Sequence, residues 1–114
     1  MEVTDLEQRF VEAARLHGLH RNEGDPGPTN AAYDKAISAL RALRTLPDRG
    51  QRFLLACLED PNPSVVLWAA FYLLPHSEDA ALDALKRVSS GANRVAFDAE
   101  TALEEWRAGR LTVE

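Results

Sequence analysis

The sequence predicts an all-α fold, a short right-handed α-solenoid of about three helical hairpins that together hold six helices. Three observations support this prediction. Apolar residues recur at helical spacing, capping and stop signals divide the chain into six segments, and one pair of helices resembles the next after a shift of thirty residues. No stretch alternates between polar and apolar residues as a half-buried strand does.

Size and composition indicate one folded domain. The 114 residues are 46% hydrophobic and 27% charged. Such a chain is long enough to bury one core and too short for two. We therefore expect residues 1–114 to form a single domain.

The net charge of −5 lies in the C-terminal half. Residues 1–57 carry eight acids and eight bases, whereas residues 58–114 carry ten acids and five bases. Binding to nucleic acid favours clustered Lys and Arg, so a nucleic-acid partner is not expected. Another protein with a basic or amphipathic contact surface suits this charge better.

Cysteine usage and hydropathy predict a cytoplasmic protein. The single cysteine, Cys57, lies in an apolar run and is expected to be a small buried hydrophobe. The N-terminus has no signal-peptide pattern. The longest apolar run, 65–74, has about half of the ~20 residues that span a bilayer, so no membrane partner is expected.

The predicted helices cover about residues 4–18, 31–46, 49–59, 63–74, 78–89 and 94–108. Thr4 opens a capping box, and Gly18 is expected to end the first helix. Two prolines and two glycines between residues 20 and 30 predict an open connection, the longest in the chain. Asn62 and Asn93 are expected to cap the fourth and sixth helices.

The thirty-residue echo is the strongest sign of stacked hairpins. The shift pairs Leu54 with Ala84, Leu55 with Leu85, Leu58 with Val88, Val65 with Val95, Ala69 with Ala99 and Leu73 with Leu103. One helical pair cannot bury its own apolar face, so neighbouring pairs must stack. Helices one and two are expected to supply the third pair.

These residues resemble a known repeat. Residues 54–65, Leu-Leu-Ala-Cys-Leu-Glu-Asp-Pro-Asn-Pro-Ser-Val, followed by Ala69 and Leu73, look like a HEAT repeat, and the resemblance covers about residues 31–108. The Arg that usually follows the Val is Val66 here, so packing is expected to join the units in place of an Asp–Arg ladder. Residues 95–107 are similar to the C-terminal pattern of a small bacterial family of HEAT-like domains.

The resemblance implies a fold and, by analogy, a class of function. Some small bacterial HEAT-like proteins are similar to immunity proteins that neutralise toxins. The resemblance therefore implies a non-enzymatic, protein-binding adaptor or inhibitor that uses the concave surface of helices two, four and six.

Two rows of residues are expected to line that surface. In the thirty-residue register Ser38, Trp68 and Asp98 form one row, and Arg41, Phe71 and Thr101 form the next. Aromatic and Arg side chains are frequent anchors at protein interfaces. The predicted partner-binding residues are Ser38, Arg41, Trp68, Tyr72, Asp98, Thr101 and Glu105. For Trp68 and Tyr72 the alternative is core packing, and for the acids of the last helix it is a solvated face.

No catalytic residue, cofactor or metal site is predicted. The chain has no phosphate-binding Gly-x-x-x-x-Gly-Lys loop, no His-Glu-x-x-His helix and no Gly-x-Ser-x-Gly elbow. His17 and His20 share a helix face only if the helix continues beyond Gly18, and the number and spacing of further ligands do not match a zinc site.

Two alternative functions stay open at the level of sequence. HEAT-like alkylpurine DNA glycosylases also use Trp and Asp in a concave groove, which Trp68 and Asp98 resemble, although the chain has few bases for phosphate binding. The other alternative is a self-associating structural unit, because terminal repeats expose apolar edges. A monomer or weak homodimer is expected.

Overall fold

Six helices follow one another in the part of the chain that the structure, a computed structural model, describes, residues 3–113. They are α1 (Val3–Glu23), α2 (Pro26–Arg44), α3 (Pro47–Cys57), α4 (Pro63–Leu73), α5 (Glu78–Ser89) and α6 (Arg94–Arg107). Within residues 3–113 there is no strand, so the predicted all-α class is confirmed. None of these helices is both long and apolar enough to cross a lipid bilayer.

The prediction of an open connection at residues 20–30 is wrong. Helix α1 continues to Glu23, and α2 begins at Pro26. Gly24, with φ of 75°, allows the N–H groups of Gly24 and Asp25 to donate to the carbonyls of Arg21 and His20, which is a Schellman turn. The prolines of this segment lie in the first turn of α2, where a missing N–H removes no helical hydrogen bond.

The prediction that Gly18 ends α1 is wrong, because Gly18 lies inside the helix. A Cβ atom at this position would overlap the side chain of Ser64 in α4. The Ser64 hydroxyl is buried and donates to the Ala14 carbonyl, at 2.6 Å. Gly18 therefore permits a close approach between α1 and the first turn of α4.

Helices α4, α5 and α6 agree with the predicted bounds to within one residue. The Asn62 side chain accepts from the N–H groups of Ser64 and Val65, and Asn93 accepts from the Ala96 N–H, so both predicted caps are confirmed. Helix α3 begins two residues before its predicted start, because Pro47 takes the first helical position. Thr4, the other predicted cap, lies inside α1.

Helix α4 occupies the centre of the packing. It contacts α1, α3, α5 and α6, while α1 pairs with α2 and α5 pairs with α6. Seven of the eleven residues of α4 are buried, which explains why this helix is apolar on every face. Helix α1 also contacts α6, so it lies across the first turns of both α4 and α6.

We expect Gly18→Ala to lower the free energy of unfolding by about 1–3 kcal/mol, because the added methyl group overpacks the contact with Ser64. Gly27→Ala is the matched control, since a Cβ there meets nothing within 4 Å in the first turn of α2. It should change stability by less than about 1 kcal/mol. Urea unfolding measures both, and equal stability of the two variants would contradict the close approach.

Candidate functional site: an aromatic trough

One cleft of about 290 Å³ is lined mainly by α4 and α6, with one side chain each from α1 and α2. We call it the aromatic trough. Its lining consists of His17, Tyr33, Leu67, Trp68, Phe71, Tyr72, Asp98, Thr101, Ala102, Glu105 and Leu111. The lining is chiefly aromatic and aliphatic, with two carboxylates on the α6 side.

The aromatic rings of the trough pack around Trp68. Its ring centroid lies 5.3 Å from that of His17, 5.4 Å from Tyr33 and 6.2 Å from Tyr72, whose plane is tilted by only 23° from the indole. Trp68 is 7% exposed, whereas Tyr33 is 47% exposed. Trp68 therefore forms the floor of the trough and belongs to the core, and Tyr33 presents the accessible aromatic surface.

The Trp68 indole satisfies its N–H through His17. The indole Nε1–H donates to His17 Nδ1 at 3.3 Å. An indole nitrogen can only donate, so Nδ1 must carry a lone pair and the imidazole proton resides on Nε2. Burial lowers the pKa of His17, Asp98 opposes this shift, and Arg21 adds to it. The neutral imidazole is thus the form that fits the site.

Asp98 is held by an ion pair that joins α1 to α6. Arg21 donates from Nε and Nη2 to the two carboxylate oxygens of Asp98, each at 2.9 Å. The neighbouring Asn22 accepts the Val95 N–H at 3.1 Å, so α1 also caps the first turn of α6. These contacts hold one wall of the trough in place and engage both oxygens of Asp98.

The structure brings together most of the predicted partner-binding residues, but not all of them. Trp68, Tyr72, Asp98, Thr101 and Glu105 line the trough. Two others are elsewhere. Ser38 lines a separate cleft of about 710 Å³ along α1 and α2, and Arg41 is an exposed residue of α2 that is not part of the trough lining.

The position of α2 explains the difference. The thirty-residue register assumed that α2 follows α4 and α6 along their length, but α1 makes those contacts. Helix α2 reaches the trough through Tyr33 in its second turn. Sequence reasoning missed Tyr33 because this residue lies outside the two rows of the thirty-residue register, and it also missed Leu111, which follows the last helix.

Cys57 is chemically unsuited to be a nucleophile. Its side chain is buried, and burial, together with the negative charges of Asp60 and Glu7, raises the pKa of the thiol to about 12. A thiol rather than a thiolate is present at neutral pH, and the thiolate is the reactive form. Among the described residues, no group of three or more His, Cys, Asp and Glu side chains is placed to hold a metal ion.

Comparison with known proteins returns no match: no protein-family model, no curated protein and no solved structure matches this chain. The resemblance to HEAT repeats therefore rests on the sequence pattern alone.

We expect the free energy of unfolding to decrease as pH falls below about 6.5. The lowered pKa of His17 means that the unfolded chain binds the proton first, so protonation favours unfolding. One such group changes stability by at most about 1.4 kcal/mol per pH unit. Urea unfolding between pH 7.5 and 5.5 measures the slope, which His17→Gln should reduce. His76→Gln, which alters an exposed histidine, is the matched control and should retain it.

We expect native Cys57 to react with iodoacetamide far more slowly than a free cysteine, because the thiol is buried and protonated. The reaction should become fast in 8 M urea. Mass spectrometry of quenched samples gives both rates. Rapid alkylation of the folded protein would show that Cys57 is accessible, against the packing described above.

Proposed function

We propose that this protein is a non-enzymatic protein-binding module that receives a basic, partly apolar segment of another protein in the aromatic trough. The observation that carries the proposal is the composition of the trough: an aromatic floor beside carboxylates on one helix. Aromatic anchors in pockets supply much of the binding energy at protein interfaces. An adaptor or an immunity-type inhibitor would use such a site.

Charge favours a basic occupant. Glu105 lines the trough, and Glu100 and Glu104 are exposed on the same helix. The half of the sequence that contains α4 and α6 has ten acids against five bases. Such an excess accelerates the approach of a basic partner and disfavours acidic ones.

The exposed aromatic surface favours the same chemistry. Tyr33 is accessible at the rim and lies against the Trp68 ring that forms the floor. The face of an aromatic ring attracts a Lys or Arg side chain and also packs against the aliphatic part of that side chain. An occupant that places a basic residue next to a large apolar one would use both the rings and the Glu105 carboxylate.

We also propose that α3–α4 and α5–α6 are two stacked HEAT-like hairpins. The thirty-residue echo and the contacts of α4 with α5 and α6 support this arrangement. In the proposal α1 and α2 form the terminal unit, turned so that α1 lies against the other two. We further propose that the protein is cytoplasmic and is a monomer or weak homodimer in which the trough stays accessible.

The nucleic-acid enzyme considered as an alternative draws less support from the geometry. Trp68 is buried and its N–H is bonded to His17, so it is not free to stack on a base. Both oxygens of Asp98 accept from Arg21, which leaves this carboxylate poorly suited to act as a general base.

We expect a phage-displayed library of random dodecapeptides, selected on the immobilised full chain, to yield peptides with Lys or Arg beside a large apolar residue. Fluorescence anisotropy of the resynthesised peptides would then measure affinity. Tyr33→Ala should weaken binding by about tenfold, the loss typical of an interface anchor. Phe97→Ala is the matched control, because Phe97 is 62% exposed on α6 but does not line the trough.

Two substitutions of opposite charge at Thr101 test the electrostatic part of the proposal. Thr101 is exposed and lines the trough, so its substitution should leave the fold intact. Thr101→Glu should strengthen binding of the selected peptides and Thr101→Lys should weaken it, both less at high salt. Equal binding by all variants would overturn the proposal. A stable dimer in sedimentation that Tyr33→Ala disrupts would assign the trough to self-association.

A further inference from the structure

The chain segment that follows α6 packs onto the trough and forms part of its lining. Gly109, with φ of 72°, ends the helix in a Schellman turn, in which the Gly109 and Arg110 N–H groups donate to the carbonyls of Trp106 and Glu105. Leu111 then packs against the hydrophobic core and contributes to the lining of the trough.

The same segment also binds a carboxylate of the trough, that of Glu105. Arg110 donates from Nε to Glu105 at 2.8 Å and from Nη2 to the other oxygen at 3.3 Å. These hydrogen bonds lower the pKa of Glu105 and keep it charged. A basic residue is therefore held by a carboxylate that the proposed function assigns to a partner, and the apolar residue after it lies in the wall of the same trough.

We infer that Arg110 and Leu111 act as a cis-ligand: they occupy the partner site of the trough, and a partner segment with Lys or Arg followed by a large apolar residue displaces them. This inference rests on the proposed function and adds to it the order of residues that the trough recognises. It also makes partner binding a competition with a part of the same chain.

The strength of the cis contact suits a site that must open. Arg110 is exposed, and exposed ion pairs hold weakly, while Leu111 is only partly buried. A segment tethered by a short linker has an effective concentration of the order of millimolar. A contact this weak has a dissociation constant of similar order, so the tethered segment reduces the affinity of a competing partner by only a few-fold and does not block the trough.

The double variant Arg110→Ala/Leu111→Ser removes the cis-ligand, and Thr112→Ala, a change at the exposed next residue, is the matched control. The probe is the free peptide Gly-Arg-Leu-Thr-Val, residues 109–113, acetylated and amidated. NMR titration of the full-length proteins should show shifts of the Trp68 indole N–H. We expect the double variant to bind the peptide about fivefold more tightly than the unaltered chain or Thr112→Ala.

Equal affinity of the double variant and the unaltered chain for this peptide, or no binding to either, would overturn the cis-ligand. Thermal unfolding of the double variant establishes that it is folded. The library peptides separate this inference from the proposed function. If they bind the trough equally well with and without the cis-ligand, only the inference fails. If Tyr33→Ala and the Thr101 variants do not affect them, the proposed function fails.

Discussion

The close approach of α1 to the first turn of α4 is the contact on which the rest of the structure depends. Gly18 lets the two helices meet without a side chain between them, and the buried Ser64 hydroxyl donates its hydrogen bond to the Ala14 carbonyl. Separating the helices by the width of a methyl group would leave that hydroxyl without its acceptor, which costs about 1–3 kcal/mol. Packing and hydrogen bonding therefore select the same position for α1.

That position of α1 creates the trough. Once α1 lies across α4, its last turn reaches α6, where Arg21 holds Asp98. One turn earlier, His17 meets the Trp68 indole and satisfies its N–H, which lets a large polar-tipped ring be buried as a floor. Because α2 pairs with α1, Tyr33 is carried to the rim. The aromatic surface is thus a consequence of one helix crossing.

The C-terminal half of the chain was predictable because its signals are local. Asn62 and Asn93 satisfy the N–H groups of their own helices, and α4 is apolar on all faces because it lies among four neighbours. In the first half, Gly18 and the prolines at 26 and 28 are each compatible with two structures. The prolines either interrupt a helix or lie in its first turn. Gly18 ends a helix or permits a close approach, and the choice depends on Ser64, which is remote in sequence.

The sequence by itself determined the helical class, the bounds of α4 to α6 and the acidic excess near the trough, because periodicity, capping and charge act within one element. It also placed Trp68 and Asp98 on neighbouring helices, through the thirty-residue echo. Only the tertiary structure decided that Tyr33, and not Ser38 or Arg41, reaches the same surface. The physical reason is that α1 competes with α2 for α4 and α6, and a steric fit at one glycine settles which helix packs there.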